Sequence, residues 1–222
     1  MTHLIVSILH IMGVAIGVGT ATATDPLFLS SIRNRKLSSD QVVLLHNLSR
    51  VLMGGLILVI ASGIAHLFIH PAILHNSGFL AKMTVVFIIA VNGMVFHVRV
   101  LPHLEAHVDE RMDEETLCEE LVVMATSGAI SGVSWYSALI LGFLIPFALP
   151  YGLLINAYLL LVVGAVTSAY LVLSHIIFTP QPEPEEVLAE ERFPQAMRWT
   201  PAVLAVVVLA IIAVALFETI QL

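Results

Sequence analysis

Charged residues and cysteines are scarce in this sequence. Asp, Glu, Lys and Arg make up 11% of its 222 residues, whereas 59% are hydrophobic. A soluble globular domain is about a quarter charged and nearer half apolar. The scarcity of charge therefore excludes an ordinary soluble protein and predicts an integral membrane protein, with the lipid bilayer as its first partner. The single cysteine, Cys118, excludes an intramolecular disulfide framework and a cysteine-rich zinc site.

The motifs of several enzyme classes are also missing. The sequence contains no G-x-S-x-G elbow, no phosphate-binding P-loop, no dinucleotide fingerprint and no H-E-x-x-H pair. Nothing therefore supports hydrolytic chemistry. The formal net charge is −7, but the charges lie between the apolar segments, and we expect no nucleic-acid partner.

Long apolar runs make up most of the chain. A run of about 20 apolar residues is long enough to cross a bilayer as a helix. The sequence predicts an all-α fold, a single transmembrane bundle over residues 1–222. We expect about six membrane-spanning helices, at residues 4–24, 48–69, 79–100, 121–149, 152–178 and 199–217.

Polar residues and prolines mark the ends of these spans. The stretch 38–40 (Ser-Ser-Asp) is a typical helix start before the second span. Pro71 and Pro102 are expected to end the second and third spans, because proline does not readily continue a helix. Pro146 and Pro150 are expected to bend or end the fourth span. The start of that span is the least sharply marked, and it is expected at residue 121 or several residues later.

The basic residues are distributed unequally between the two sides of the predicted bundle. Inner loops of bacterial membrane proteins carry an excess of Lys and Arg. With the N-terminus outside, Lys82 alone falls on the outer side, and both termini are outer. We expect a bacterial cytoplasmic membrane. The inner loops and helix ends then hold Arg33, Arg35, Lys36, Arg50, Arg99, Arg111, Arg192 and Arg198.

Four of the ten histidines lie inside the spans at informative depths. His10 is about two turns inside the first span, and His66 has a similar depth on the second. His97 and His175 are close to the inner ends of the third and fifth spans. An ionisable group within a bilayer is costly and faces the bundle interior. We predict these four histidines as metal ligands, because haem iron takes imidazoles from facing helices.

Three basic residues complete the predicted cofactor site. Lys82 lies at a depth comparable to His10 and is a candidate partner for the outer site. The alternative is that its amine extends to the lipid headgroups. Arg50 and Arg99 lie at inner helix ends, where a guanidinium can pair with a haem propionate.

Small residues indicate where helices approach closely. Gly13 and Gly17 form a G-x-x-x-G pair beside His10. A second small-residue face, residues 127–132, precedes Trp135 on the fourth span. Close helix packing is the first interpretation of that face. The alternative is space for a macrocycle or a quinone, with Trp135 stacked on it.

The first three spans resemble a known family. The resemblance is carried by the stretch 9–14 (LHIMGV), the run 50–63, the stretch 79–83 (FLAKM) and the dipeptide 96–97 (FH). These pieces are similar to the HemJ-type protoporphyrinogen oxidases and, more loosely, to the CopD-like copper-resistance membrane proteins. The resemblance covers roughly residues 4–100. It implies a haem b bundle in which His10 and Lys82 are essential.

These observations together favour a haem-b-binding membrane protein with a redox or electron-transfer role, carrying one or two haems. A quinone or a redox protein is the expected electron partner, and a homo-oligomer is left open. The alternatives are a HemJ-like oxidase with one haem, a copper or divalent-metal transporter, and a structural subunit. Under the last alternative the histidines bind water at the membrane interface. That interpretation comes first for His3, His70, His75, His103 and His107.

Overall fold

A computed structural model describes the backbone of residues 1–33, 38–106 and 114–178. Side chains within these ranges are described except those of residues 25, 26, 28–33, 103, 104, 106, 114–121 and 175–178. The chain divides into two units, Met1–Ile176 and Ile177–Leu222. Apart from residues 177 and 178, the second unit lies outside the described residues, so a single bundle over the whole chain stays a prediction.

All regular secondary structure in the described ranges is helical, which confirms the all-α prediction. Five helices are long and apolar enough to cross a membrane, over Thr2–Thr24, Ser39–Ile69, Ser77–Val100, Val122–Phe147 and Tyr151–Ser174. The predicted sixth span, 199–217, lies outside the described residues. The helices are α1 Thr2–Arg33, α2 Ser39–Ile69, α3 Ser77–Val95, α4 Leu101–Ala106, α5 Glu114–Leu144 and α6 Tyr151–Phe178.

The second span begins earlier than predicted, at the polar stretch that marks its start. Ser38 caps α2: its hydroxyl accepts the backbone N–H of Gln41, and the Gln41 side chain accepts the N–H of Ser38. This reciprocal pair satisfies two N–H groups that a helix start leaves unpaired. At the other end, His70 is the C-cap and a 3₁₀ turn, Pro71–His75, follows, as predicted.

The third membrane span ends at Val100, just before Pro102, as predicted, but the helical backbone continues past Pro102. A π-helical turn, Phe96–Val100, follows α3 and leads directly into α4. Pro102 is the second residue of α4, directly after the π-helical turn, in which the N–H of Leu101 donates to the carbonyl of Phe96.

Two helices extend beyond their spans. The first span ends at Thr24 and the fourth begins at Val122, as predicted, but α1 continues to Arg33 and α5 begins at Glu114. Apolar length sets where a span crosses hydrocarbon, but a helix can continue through polar residues outside it. Pro146 does end the fourth span, in a 3₁₀ turn, Ile145–Phe147.

The bundle is built from two closely packed helix pairs. α1 packs most extensively on α2, and α3 packs on α5, while α1 also contacts α5. α2 and α3 contact each other little. We call the end where α1 begins the Met1 end. The opposite end, where α2 begins and His46 on α2 contacts Glu105 on α4, is the Glu105 end.

Glycines hold α1 and α2 together, as the G-x-x-x-G pair predicts. A Cβ on Gly13 would lie 3.0 Å from the backbone nitrogen of Val59 and 3.1 Å from the carbonyl oxygen of Gly55. A Cβ on Gly55 would lie 3.1 Å from the backbone nitrogen of Gly17. The two backbones are in contact here, and this close approach positions the polar residues on the same faces.

Gly17 also receives the side chain of Trp135. The ring occupies the space where a Cβ on Gly17 would lie, and Trp135 is only 1% exposed. Trp135 therefore packs α5 onto α1. Its indole nitrogen is buried and has no hydrogen-bond partner among the described residues.

We predict that Gly17→Ala destabilises the bundle and that Gly19→Ala does not. The added methyl at Gly17 overlaps the Trp135 ring, and overpacking of this kind costs about 1–3 kcal/mol. No described atom lies within 4 Å of a Cβ on Gly19. Alanine there causes no overlap, and its higher helix propensity than glycine stabilises the helix by about 1 kcal/mol. Thermal unfolding midpoints in detergent measure both variants. Equal midpoints would show that the Trp135 contact does not constrain this position.

Candidate functional site

His10 and Lys82 meet inside the bundle near its Met1 end. The Lys82 amine lies 2.9 Å from Nε2 of His10, although 72 residues separate them in sequence. Both side chains are half-buried. The contact joins α1 to α3 and so bridges the two helix pairs. The prediction that His10 faces the bundle interior is confirmed.

Ser62 on α2 orients the His10 ring. Its hydroxyl oxygen lies 2.9 Å from Nδ1 of His10 and also contacts the carbonyl oxygen of Leu58. When the Lys82 amine donates to Nε2, Nδ1 carries the ring proton and donates it to Ser62, whose hydroxyl donates to Leu58. The protons that Lys82, His10 and Ser62 share along this series of hydrogen bonds then each have an acceptor. An imidazole held in this way by its other nitrogen is typical of metal-ligating histidines.

No carboxylate lies near the Lys82 amine among the residues that the structure describes. Residues 41–104 and 121–182 contain neither Asp nor Glu. On the side facing α5, the amine lies 3.4 Å from where a Cβ on Gly142 would be. An amine without an anionic partner inside a membrane span is costly, and such residues are usually functional.

Three further histidines connect this centre to the Met1 end. The His66 ring lies edge-on to His10, with centroids 6.0 Å apart, and its Nε2 is 3.5 Å from the hydroxyl of Ser7. His3 packs against His66 at 5.4 Å and against the exposed His70 at 5.2 Å. Four of the histidines expected at the outer end from depth, His3, His10, His66 and His70, are thus brought together.

His97 lies near the Glu105 end and faces a cavity. Its Nε2 is 3.0 Å from the hydroxyl of Ser49 on α2, so this contact also bridges the two helix pairs. The cavity measures about 80 Å³. Among its lining residues are His97, Ser49, Asn92, Ser127, Gly128 and Ser131. The small-residue face of α5 therefore leaves space here, whereas Trp135 packs on α1 and is not part of the lining.

The remaining predicted site residues are not gathered at either centre. Arg50 and Arg99 are exposed and do not line the cavity. His175 lies on α6, but its side chain is outside the described part, so a pairing with His97 stays a prediction. Within the described ranges, no three His, Cys, Asp or Glu side chains converge as a metal site.

Sequence reasoning missed the serines that hold the histidines. Ser62 lies one turn before His66 on the same helix, and a polar residue at that spacing in an apolar span is a weak signal. Ser7 precedes His10 by three residues in the same way. Ser49 follows His46 by three residues. In all three cases the histidine that the serine contacts lies on another helix, and the sequence does not reveal that partner.

Comparison with known proteins finds no match to this chain. No protein-family model, no curated protein and no solved structure matches this chain.

We predict that Ser62→Ala destabilises the protein more than Ser168→Ala. Both serines donate to the carbonyl four residues earlier, but Ser168 is exposed on α6. Loss of Ser62 leaves Nδ1 of His10 without its partner, which costs about 1–3 kcal/mol, whereas a surface change stays within about 0.5 kcal/mol. Thermal unfolding in detergent compares them. If the two variants lose the same stability, Ser62 does not hold the ring.

Proposed function

We propose that this chain is an integral membrane protein that binds haem b through His10 and has a redox role. The observation that carries the proposal is the 2.9 Å contact between His10 and Lys82. The sequence resemblance to HemJ-type proteins singles out the same two residues, and the geometry independently places them together. A buried imidazole oriented by Ser62 supports the role of ligand.

The donor types fit haem, but the spacing in this structure admits one nitrogen at a time. Two nitrogens on opposite sides of one metal ion lie about 4 Å apart, twice the metal–nitrogen distance. At 2.9 Å, the Lys82 amine occupies the position that iron would take at Nε2 of His10. His10 would therefore hold the iron only after the amine moves aside. When bound, haem gives or takes one electron by cycling between ferric and ferrous iron.

One haem at the Met1 end is better supported than two. His97 faces a cavity of about 80 Å³ and contacts Ser49. That cavity is about half the size of one that holds a benzene ring, and a haem macrocycle is much larger. We therefore propose that His10 is the haem ligand and that His97 does not bind haem.

The experiment is a haem assay on protein purified in detergent from haem-replete bacterial cells. We expect about one haem per chain, with a sharp band on reduction. His10→Ala should remove the haem, because the imidazole ligand is lost. His75→Ala is the matched control, since His75 lies at the same end of the bundle but is exposed on the 3₁₀ turn.

Two results would contradict this proposal. A colourless wild-type protein would exclude haem, and copper and zinc analysis would follow. Equal haem loss in the His10 and His75 variants would show that the effect is not ligation.

We further propose that the Met1 end faces outward, in a bacterial cytoplasmic membrane with six spans and both termini outside. The distribution of Lys and Arg supports this orientation. In a Cys118→Ser background, His75→Cys should react with a membrane-impermeant maleimide in intact cells. Ser39→Cys at the Glu105 end should react only after permeabilisation. Labelling in the opposite order would reverse the orientation.

A further inference from the structure

We propose that the cavity at the Glu105 end binds the head group of a quinone. This inference rests on the proposed redox function, for which a quinone would be the lipid-soluble electron partner. The lining of this cavity comes from α1, from α2, from α3 with its π-helical turn, and from α5.

The lining side chains that the structure describes are neutral and partly polar, which favours a neutral ligand. Among them there is no Asp, Glu, Lys or Arg. Its polar members are Thr24, Ser49, Asn92, His97, Ser127 and Ser131, and the rest are apolar residues or glycine. Pockets of this composition bind apolar ligands whose few polar atoms are recognised individually. A charged metabolite would find no counter-charge among these described side chains.

Three hydrogen-bond donors remain for a ligand. Asn92 gives one amide hydrogen to the carbonyl of Ser127, at 3.0 Å, and keeps the other. If Ser49 donates to Nε2 of His97, the ring keeps its proton on Nδ1. If Nε2 donates to Ser49 instead, Ser49 keeps its hydroxyl proton, so one proton is free with either tautomer. The hydroxyl of Ser131 has no hydrogen-bond partner among the described residues. Quinone carbonyl oxygens are acceptors and suit such donors.

Flexible walls can widen the cavity for a ring. Met53 and Met124 line it, and unbranched thioether side chains adapt readily to different shapes. The end of Met53 lies 4.0 Å from where a Cβ on Gly93 would be, and no other atom is within 4 Å of that position. At about 80 Å³ the cavity is smaller than the roughly 150 Å³ that holds a benzene ring, so a quinone ring enters beside Gly93 only when Met53 and Met124 change rotamer.

The route of entry lies within the bilayer. The lining belongs to membrane-spanning segments, and α2 and α3, which form adjoining walls, contact each other little. A molecule dissolved in lipid reaches the cavity between these two helices without crossing water. This favours a quinone over a water-soluble ligand of similar size.

The test is photoaffinity labelling of the purified protein with an azido derivative of decylubiquinone, followed by mass spectrometry. We expect label on peptides containing residues 92–97 or 124–131, and competition by excess decylubiquinone. His97→Ala should reduce the label about fivefold or more, as loss of one hydrogen bond predicts. Asn156→Ala, which removes an exposed amide on α6, should leave it unchanged.

Filling the cavity gives a second variant that keeps every polar group. Gly93→Leu should abolish the label, whereas Gly164→Leu on α6, where no atom lies within 4 Å of the Cβ, should retain it. Gel filtration and thermal unfolding confirm that each variant is folded. Label that is not competed, or that persists in Gly93→Leu, would overturn the proposal.

The same variants separate this inference from the proposed function. His10→Ala should lose haem and keep the competed label, and His97→Ala should keep haem and lose the label. A protein without haem that still shows competed label at the cavity would overturn the haem proposal alone.

Discussion

The close approach of α1 and α2 is the constraint on which the rest of the structure depends. Lipid chains are as apolar as leucine, so no hydrophobic force holds membrane helices together, and small residues and polar contacts take over this role. Gly13 and Gly55 let the two backbones touch. His10 precedes Gly13 by three residues and Ser62 follows Gly55 by seven, which places them on the same faces. The packing that joins α1 and α2 therefore also places the imidazole of His10 beside Ser62.

The two helix pairs are bridged by polar contacts that involve histidine at both ends of the bundle. Lys82 reaches His10 at the Met1 end, and His97 reaches Ser49 at the Glu105 end. Between them, α3 presents buried apolar residues, among them Val85 and Ile89. The two polar regions thus lie on opposite sides of an apolar middle, which suits separate tasks: a buried nitrogen centre at one end and a neutral cavity at the other.

The fold was largely predictable from composition and from local signals. Apolar length predicted the described spans, Ser38 marked the start of α2, and Pro71 marked its end. The third span ends before Pro102 as predicted, but the helix itself continues past it. The π-helical turn before Pro102 changes the hydrogen-bond register, with the N–H of Leu101 donating to the carbonyl of Phe96. Apolar patterning cannot reveal such a change of register.

The sequence by itself determined that His10 and Lys82 lie inside apolar spans and need polar partners there. The free-energy cost of placing an ionisable group in hydrocarbon follows from its chemistry and its depth alone. Only the tertiary structure decided what each would meet. Helix order and rotation set contacts between residues far apart in the chain, such as Lys82 with His10, Ser49 with His97 and Trp135 with Gly17. These contacts depend on which small residues permit close approach, and periodicity along one helix carries no information about its neighbour.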